Sequence, residues 1–176
     1  MNIRELVGTS LLSSHLETRE EAESAIDRVG AISRATKLGS ALWRWKYAGD
    51  NRAAPSALSA LLRKAQRNTK IYRHHRDFAM LQSVCKLVLS EWYSPNCREC
   101  DGAREFVDEE RRLRIVCAIC NGTGLHRFSD EERAVSLKIH PRFYPPWADH
   151  VSSVWRCLAG ADIGTSAICR VQLERN

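Results

Sequence analysis

Cys97-Arg98-Glu99-Cys100-Asp101-Gly102 and Cys117-Ala118-Ile119-Cys120-Asn121-Gly122-Thr123-Gly124, with 16 residues between Cys100 and Cys117, form the stretch on which the rest of the chain turns. Each Cys-x-x-Cys bends the backbone so that two sulfurs aim at one point. Two such units separated by about 15 to 20 residues form a four-thiolate zinc signature. Four thiolates fill a tetrahedron with metal–sulfur distances of about 2.3 Å and leave no position for substrate or water. The spacing therefore predicts one structural zinc on Cys97, Cys100, Cys117 and Cys120. A redox dithiol would show one Cys-x-x-Cys rather than two at this distance. Glycines behind each pair suit the tight turns that a Cβ would obstruct. Between the pairs, Phe106, Val107, Leu113, Ile115 and Val116 predict a β-hairpin arm, on which Arg111, Arg112 and Arg114 are largely balanced by Asp108, Glu109 and Glu110.

On either side of this insert the periodicity is helical. Thr18-Arg-Glu-Glu21 has the form of a capping box and precedes Ala22, Ala25, Ile26, Val29 and Ile32 at helical steps. Leu38, Ala41, Leu42 and Trp45 form a second stripe that runs to Gly49-Asp50-Asn51, with the Trp43/Trp45 pair expected in the core. Pro55-Ser56 opens a helix with Leu58, Leu61, Leu62 and Ala65 on its buried face. Asn68-Thr69 offers a break, and a further helix carries Tyr72, Phe78, Leu81, Val84, Cys85, Val88 and Trp92 to Ser94-Pro95. Ser129-Asp-Glu-Glu132 is another capping box, opening a helix to about Ile139. After a proline-broken connection from His140 to Pro146, Trp147, Val151, Val154, Trp155 and Leu158 recur up to Gly160, and a short helix over about 162–173 ends the chain.

The fold class that follows is mainly α: a helical domain with a helix-turn-helix-like pair and an inserted four-cysteine zinc-knuckle β-hairpin. Its parts are an N-terminal helical region (1–55), a basic helix pair (56–96), the cysteine motif (97–124) and C-terminal helices (125–176), packed as one unit. The 176 residues suffice for a core, and the 44% hydrophobic share is ordinary for a globular chain. No run reaches the roughly 20 apolar residues of a membrane span, and the start lacks the apolar stretch of a secretory signal. Seven cysteines, an odd number, do not suit a disulfide framework. Cys85, Cys157 and Cys169 sit among apolar neighbours as inert thiols, and His126, His140 and His150 are expected at the surface or as caps. A cytoplasmic location follows.

The net charge of +6 is concentrated. Residues 61–96 hold seven Lys/Arg against two Asp/Glu, whereas residues 1–60 carry +1 and residues 97–176 none. A localised positive field implies a polyanionic partner, double-stranded DNA first, with a solvated helix face as the alternative. The candidate DNA-binding residues are Arg63, Lys64, Arg67, Asn68, Thr69, Lys70, Arg73, His74 and Arg76. If the turn at Asn68-Thr69 forms, several of them crowd the first turns of the second helix, where helix-turn-helix proteins meet bases and phosphates.

From Cys97 onward the chain resembles the lambda-type Q transcription antiterminators of phages and prophages. The similar residues are Cys97-x-x-Cys100-x-Gly102, Cys117-x-x-Cys120-x-Gly122-x-Gly124, Arg127-x-Ser129, Ala134, Pro145-Pro146 and Trp147-x-x-x-Val151, with a shorter match at Asn68-Thr69-Lys70. DnaJ-type chaperones use a similar knuckle, but carry four of them and two zincs. The first knuckle departs from the Q pattern, since Gly102-Ala103-Arg104 lacks the second glycine. The resemblance implies a non-enzymatic factor in a bacterial host. Such factors bind a DNA site near a late promoter, engage RNA polymerase at a sigma-dependent pause, and let it read through later terminators. It implies no membrane and no small-molecule substrate. A zinc-stabilised DNA-binding regulator without antitermination activity fits charge and zinc equally well. A small nuclease would need a His/Asn metal constellation or clustered carboxylates, and no such pattern is recognisable here.

Overall fold

The computed structural model describes residues 30, 32–67, 78–108 and 113–174. The expected Thr18 capping box with most of its helix, the Asn68-Thr69 turn, Tyr72, and the tip of the arm at 109–112 lie outside the described residues. The architecture is mainly helical with a two-stranded hairpin. The helices are α1 (Lys37–Tyr47), α2 (Ala54–Arg67), α3 (Phe78–Tyr93), α4 (Asp130–Ser136) and α5 (Pro145–Leu173). Short 3-10 turns occupy Asn51–Ala53 and Pro141–Phe143. The chain divides into two compact units, one of residues 1–85 with 149–176, the other of residues 86–148. Among the described residues no helix is long and apolar enough to cross a membrane.

In the first unit, Thr36 starts α1 because its hydroxyl accepts the Gly39 amide at 3.1 Å. Gly49, at φ 65°, stops it and lets the Asp50 amide reach back to the Arg44 carbonyl at 3.0 Å. Leu38, Ala41 and Leu42 are buried as expected, but the aromatic position of the stripe is corrected. Trp43 is fully buried, while Trp45 is half-buried. The cause is the contact with α5. Trp43 donates its indole N–H to Asp162 Oδ1 at 2.8 Å, one turn from Gly39, which lies against Ala161 and Thr165. A Cβ on Gly39 would collide with Thr165 Oγ1. The indole thus gives the buried Asp162 carboxylate a donor, as a buried polar group requires.

Pro55 sits in the first turn of α2, where its missing N–H costs nothing. Ala57, Ala60, Leu61, Leu62 and Ala65 form its buried face, whereas Leu58 is only half-buried. Small residues on this face permit a close approach to α1.

The helix expected from Trp147 begins at Pro145, inside the expected connection, and two further boundaries differ from those expected. The Ser129 box forms fully, with Ser129 Oγ accepting from the Glu132 amide at 3.2 Å and Glu132 Oε2 accepting from the Ser129 amide at 2.8 Å. Yet α4 ends at Ser136, not Ile139. Lys138 adopts φ 58°, and its amide bonds Val135 O while the Ile139 amide bonds Ala134 O, both at 3.0 Å. That is a Schellman stop with lysine in glycine's place. In the connection that follows, His140 caps the 3-10 turn by accepting the Arg142 amide at Nδ1, 3.3 Å away. The second difference is at Gly160, which does not end a helix. α5 runs 29 residues from Pro145 to Leu173. Glycine inside a helix costs about 1 kcal/mol, and the buried series Val151, Val154, Leu158, Ala161, Thr165 and Cys169 continues straight through it.

Candidate metal centre and basic surface

All four predicted cysteines converge. Cys97 and Cys117 are 0% exposed, Cys120 1% and Cys100 5%, and their sulfurs all lie within 4.8 Å of one another. The sulfurs of Cys97 and Cys117 are 4.0 Å apart, those of Cys100 and Cys120 3.7 Å. A tetrahedron of metal–sulfur bonds of about 2.3 Å has edges of about 3.8 Å. The four side chains therefore fit a single metal ion.

The two knuckles are related by an approximate twofold axis, visible in the bonding. The Cys97 amide donates to Gly124 O at 2.8 Å, and the Cys117 amide donates to Arg104 O at 2.9 Å. Each donor is the first cysteine of its knuckle, and each acceptor lies seven residues after the other knuckle's first cysteine. Asp101 and Asn121 match at φ 46° and 51°, Gly102 and Gly122 at 86° and 74°, and Arg104 and Gly124 both at 72°. The arginine that replaces the second glycine thus takes a glycine's backbone conformation. At Gly124 no side chain would fit, because a Cβ would lie 2.8 Å from Gly102 O.

Between the knuckles, β1 (Glu105–Asp108) pairs antiparallel with β2 (Leu113–Val116), with Glu105 opposite Val116 and Asp108 opposite Leu113. Arg114 Nη1 donates to Glu105 Oε1 at 2.7 Å. The bridge between Asn96 and Leu125 closes the base of the insert. The arm buries little. Phe106, Val107, Leu113, Ile115 and Val116 are all exposed, so the packed centre of this segment is the sulfur cluster itself.

Burial opposes ionisation of Cys120, but the Gly124 amide 3.3 Å from its sulfur and the neighbouring thiols outweigh it and lower its pKa, while Cys117, sharing the same cluster, is raised. A thiolate is the form a metal binds. Among the described residues no histidine joins the cluster. His126 instead contacts Glu132 Oε1 at 3.0 Å, extending the capping box. The Ser129 amide, above all, and His126 hold the Glu132 carboxyl below its usual range. A bidentate pair stands beside them: Arg133 Nε and Nη2 donate to Glu91 Oε1 and Oε2 at 2.8 and 3.1 Å, and Glu91 is 1% exposed. Neither Glu91 nor Arg133 was singled out by sequence, because their spacing of 42 residues leaves no local signal.

Of the candidate DNA-binding residues, Arg63, Lys64 and Arg67 lie on the exposed side of α2. Asn68, Thr69, Lys70, Arg73, His74 and Arg76 fall outside the described residues. Of the remaining thiols, Cys85 and Cys169 are fully buried and Cys157 half-buried. No protein-family model, no curated protein and no solved structure matches this chain.

Proposed function

We propose that the chain is a transcription antiterminator of the lambda Q type, in which one structural zinc on Cys97, Cys100, Cys117 and Cys120 organises the hairpin arm. It binds double-stranded DNA near a promoter through the basic segment of residues 61–96, loads onto paused RNA polymerase, and carries it past downstream terminators. It performs no chemistry of its own.

The observation that carries this reading is the order of features from Cys97 to Val151. Two glycine-backed knuckles bring four sulfurs to tetrahedral spacing, the Ser129 box caps a short helix, and Pro145-Pro146 opens a long one. The exposed Arg63, Lys64 and Arg67 supply cations without a neighbouring acidic run, which favours phosphate over protein as the partner of that face. The exposed apolar arm favours a protein partner elsewhere.

The test is a purified transcription system holding the factor's promoter-proximal site and an intrinsic terminator far downstream. Readthrough should rise when the protein is added and vanish when the DNA site is deleted, since loading needs the factor concentrated beside the paused enzyme. Normal termination with the protein bound at its site would leave a plain zinc-stabilised regulator.

A further inference from the structure

In the first unit, α1, α2 and the turn between them enclose a groove of about 580 Å³. Its floor includes the buried alanines Ala41, Ala53 and Ala60. Three cations line it, Lys37, Arg44 and Arg63, all exposed, together with the serines Ser33, Ser40, Ser56 and Ser59. Among the described residues no carboxylate belongs to the lining. Asp50, next to it, is bound to Arg44 and also accepts the Arg52 amide at 3.1 Å. Neither α1 nor α2 carries an acidic residue in its first turn.

We infer that this groove is a phosphodiester-binding site, which seats the backbone of duplex nucleic acid between Lys37 and Arg63. The inference rests on the nucleic-acid reading above and relocates part of it. By sequence, Lys37 and Arg44 belong to a charge-balanced region and give no signal. Folding sets them beside Arg63, and Arg63, Lys64 and Arg67 extend the same positive surface along α2. Cations ringing hydroxyl donors over a floor of small side chains suit an anion that must approach the backbone closely. Phosphate oxygens take such donors without regard to base sequence, so the groove positions the duplex rather than reading it. The lack of a lining carboxylate among these residues matters most: a binding site for a cationic ligand would place one here, and a phosphate would be repelled by it.

The experiment uses the full-length, metal-replete chain and a short fluorescein-labelled duplex of arbitrary sequence. Binding is followed by anisotropy between about 50 and 200 mM salt. Lys37→Ala and Arg63→Ala should each weaken binding and lower the slope of log K against log salt by about 1. Ser59→Glu, which puts a carboxylate into the groove, should weaken it further, while Lys37→Arg and Arg63→Lys should keep the slope. Arg170→Ala, in the last turn of α5, is the control for net charge alone. Metal content and helical signal verify the fold of each variant.

Unchanged slopes in Lys37→Ala and Arg63→Ala would overturn the inference and leave antitermination standing, as would an equal loss in Arg170→Ala. Failure of the wild type to hold the duplex would also overturn it, and the readthrough assay judges the function separately. Inorganic phosphate is the second arm, followed by amide chemical shifts of α1 and α2. If it perturbs the groove while duplex binding ignores the two alanine variants, the groove takes a small phosphorylated molecule instead, and the inference fails.

Discussion

Arg104 and Lys138 are L-residues held at φ 72° and 58°, where glycine is favoured by about 1 kcal/mol. Arg104→Gly and Lys138→Gly should therefore each raise stability by roughly 0.5–1 kcal/mol, less the chain entropy that glycine adds to the unfolded state. Gly124→Ala should do the reverse and weaken metal retention, since its Cβ meets Gly102 O at 2.8 Å. Urea midpoints and metal content decide both. A loss on Arg104→Gly as large as that on Gly124→Ala would mean that the arginine side chain, not its backbone, closes the first knuckle. Buried thiols give a second residue-scale test. Burial pushes Cys85 up to about 12, with Cys157 adding to it, and Cys169 up to about 11. A pKa raised on folding means stability is whole below the unfolded value near 9 and falls as pH rises toward the folded one. Each thiol should therefore cost up to about 1.4 kcal/mol per pH unit above about pH 9. Cys85→Ala should flatten that decline in a pH series of thermal melts, and an unchanged slope would rule Cys85 out as its source.

At the scale of elements, Glu91 and Arg133 tie α3 to α4 within the second unit, and they do so at a burial where charges are costly. Arg133→Ala would remove the bidentate partner of a carboxylate that is 1% exposed, and should cost about 3 kcal/mol. Glu91→Leu combined with Arg133→Met should recover most of that, because an apolar pair needs no partner. If the double variant is as unstable as the single one in denaturant titration, the pair fixes geometry rather than compensating burial. The same elements show what the sequence could reveal. Capping boxes and first-turn prolines act within four residues, so the Ser129 start and the Pro55 helix were legible, as were the cysteine knuckles. Signals that depend on distant partners were not. Trp43 and Trp45 are both expected in the core, but only Trp43 is fully buried, and its N–H meets Asp162, 119 residues away. Gly160 reads as a break on propensity alone, but the buried series on α5 overrides a penalty of about 1 kcal/mol. Lys138 stops α4 with a conformation that its residue type does not announce.

For the molecule as a whole, the question is how much of it depends on the metal. The described residues of 97–124 have almost no apolar core of their own: the hairpin's large side chains among them are exposed, and the buried cluster is made of four sulfurs. A segment of this kind is organised by its ion, which in small finger peptides contributes on the order of 10–16 kcal/mol. The first unit is different. Leu42, Trp43, Leu61, Val154 and Leu158 bury a hydrocarbon core that owes nothing to sulfur ligation. Removing the proposed zinc with a chelator, or its ligand by Cys117→Ser, should therefore melt about residues 96–125 and spare α1 and α2. Hydrogen exchange reads this directly. The amides of Cys97 and Cys117, bonded across the pseudo-twofold axis to Gly124 and Arg104, should lose protection first. Amides of α1 and α2 should exchange at unchanged rates. Acid should mimic the chelator, since a bound thiol must be deprotonated and protonation releases the ion. Uniform loss of protection along the chain would make the zinc a global rather than a local organiser. No loss at Cys97 and Cys117 would mean that the knuckles hold their shape without it. On the proposed function, partial melting confined to the insert also predicts that duplex binding survives chelation while terminator readthrough does not, and the same chelated sample can be tested for both.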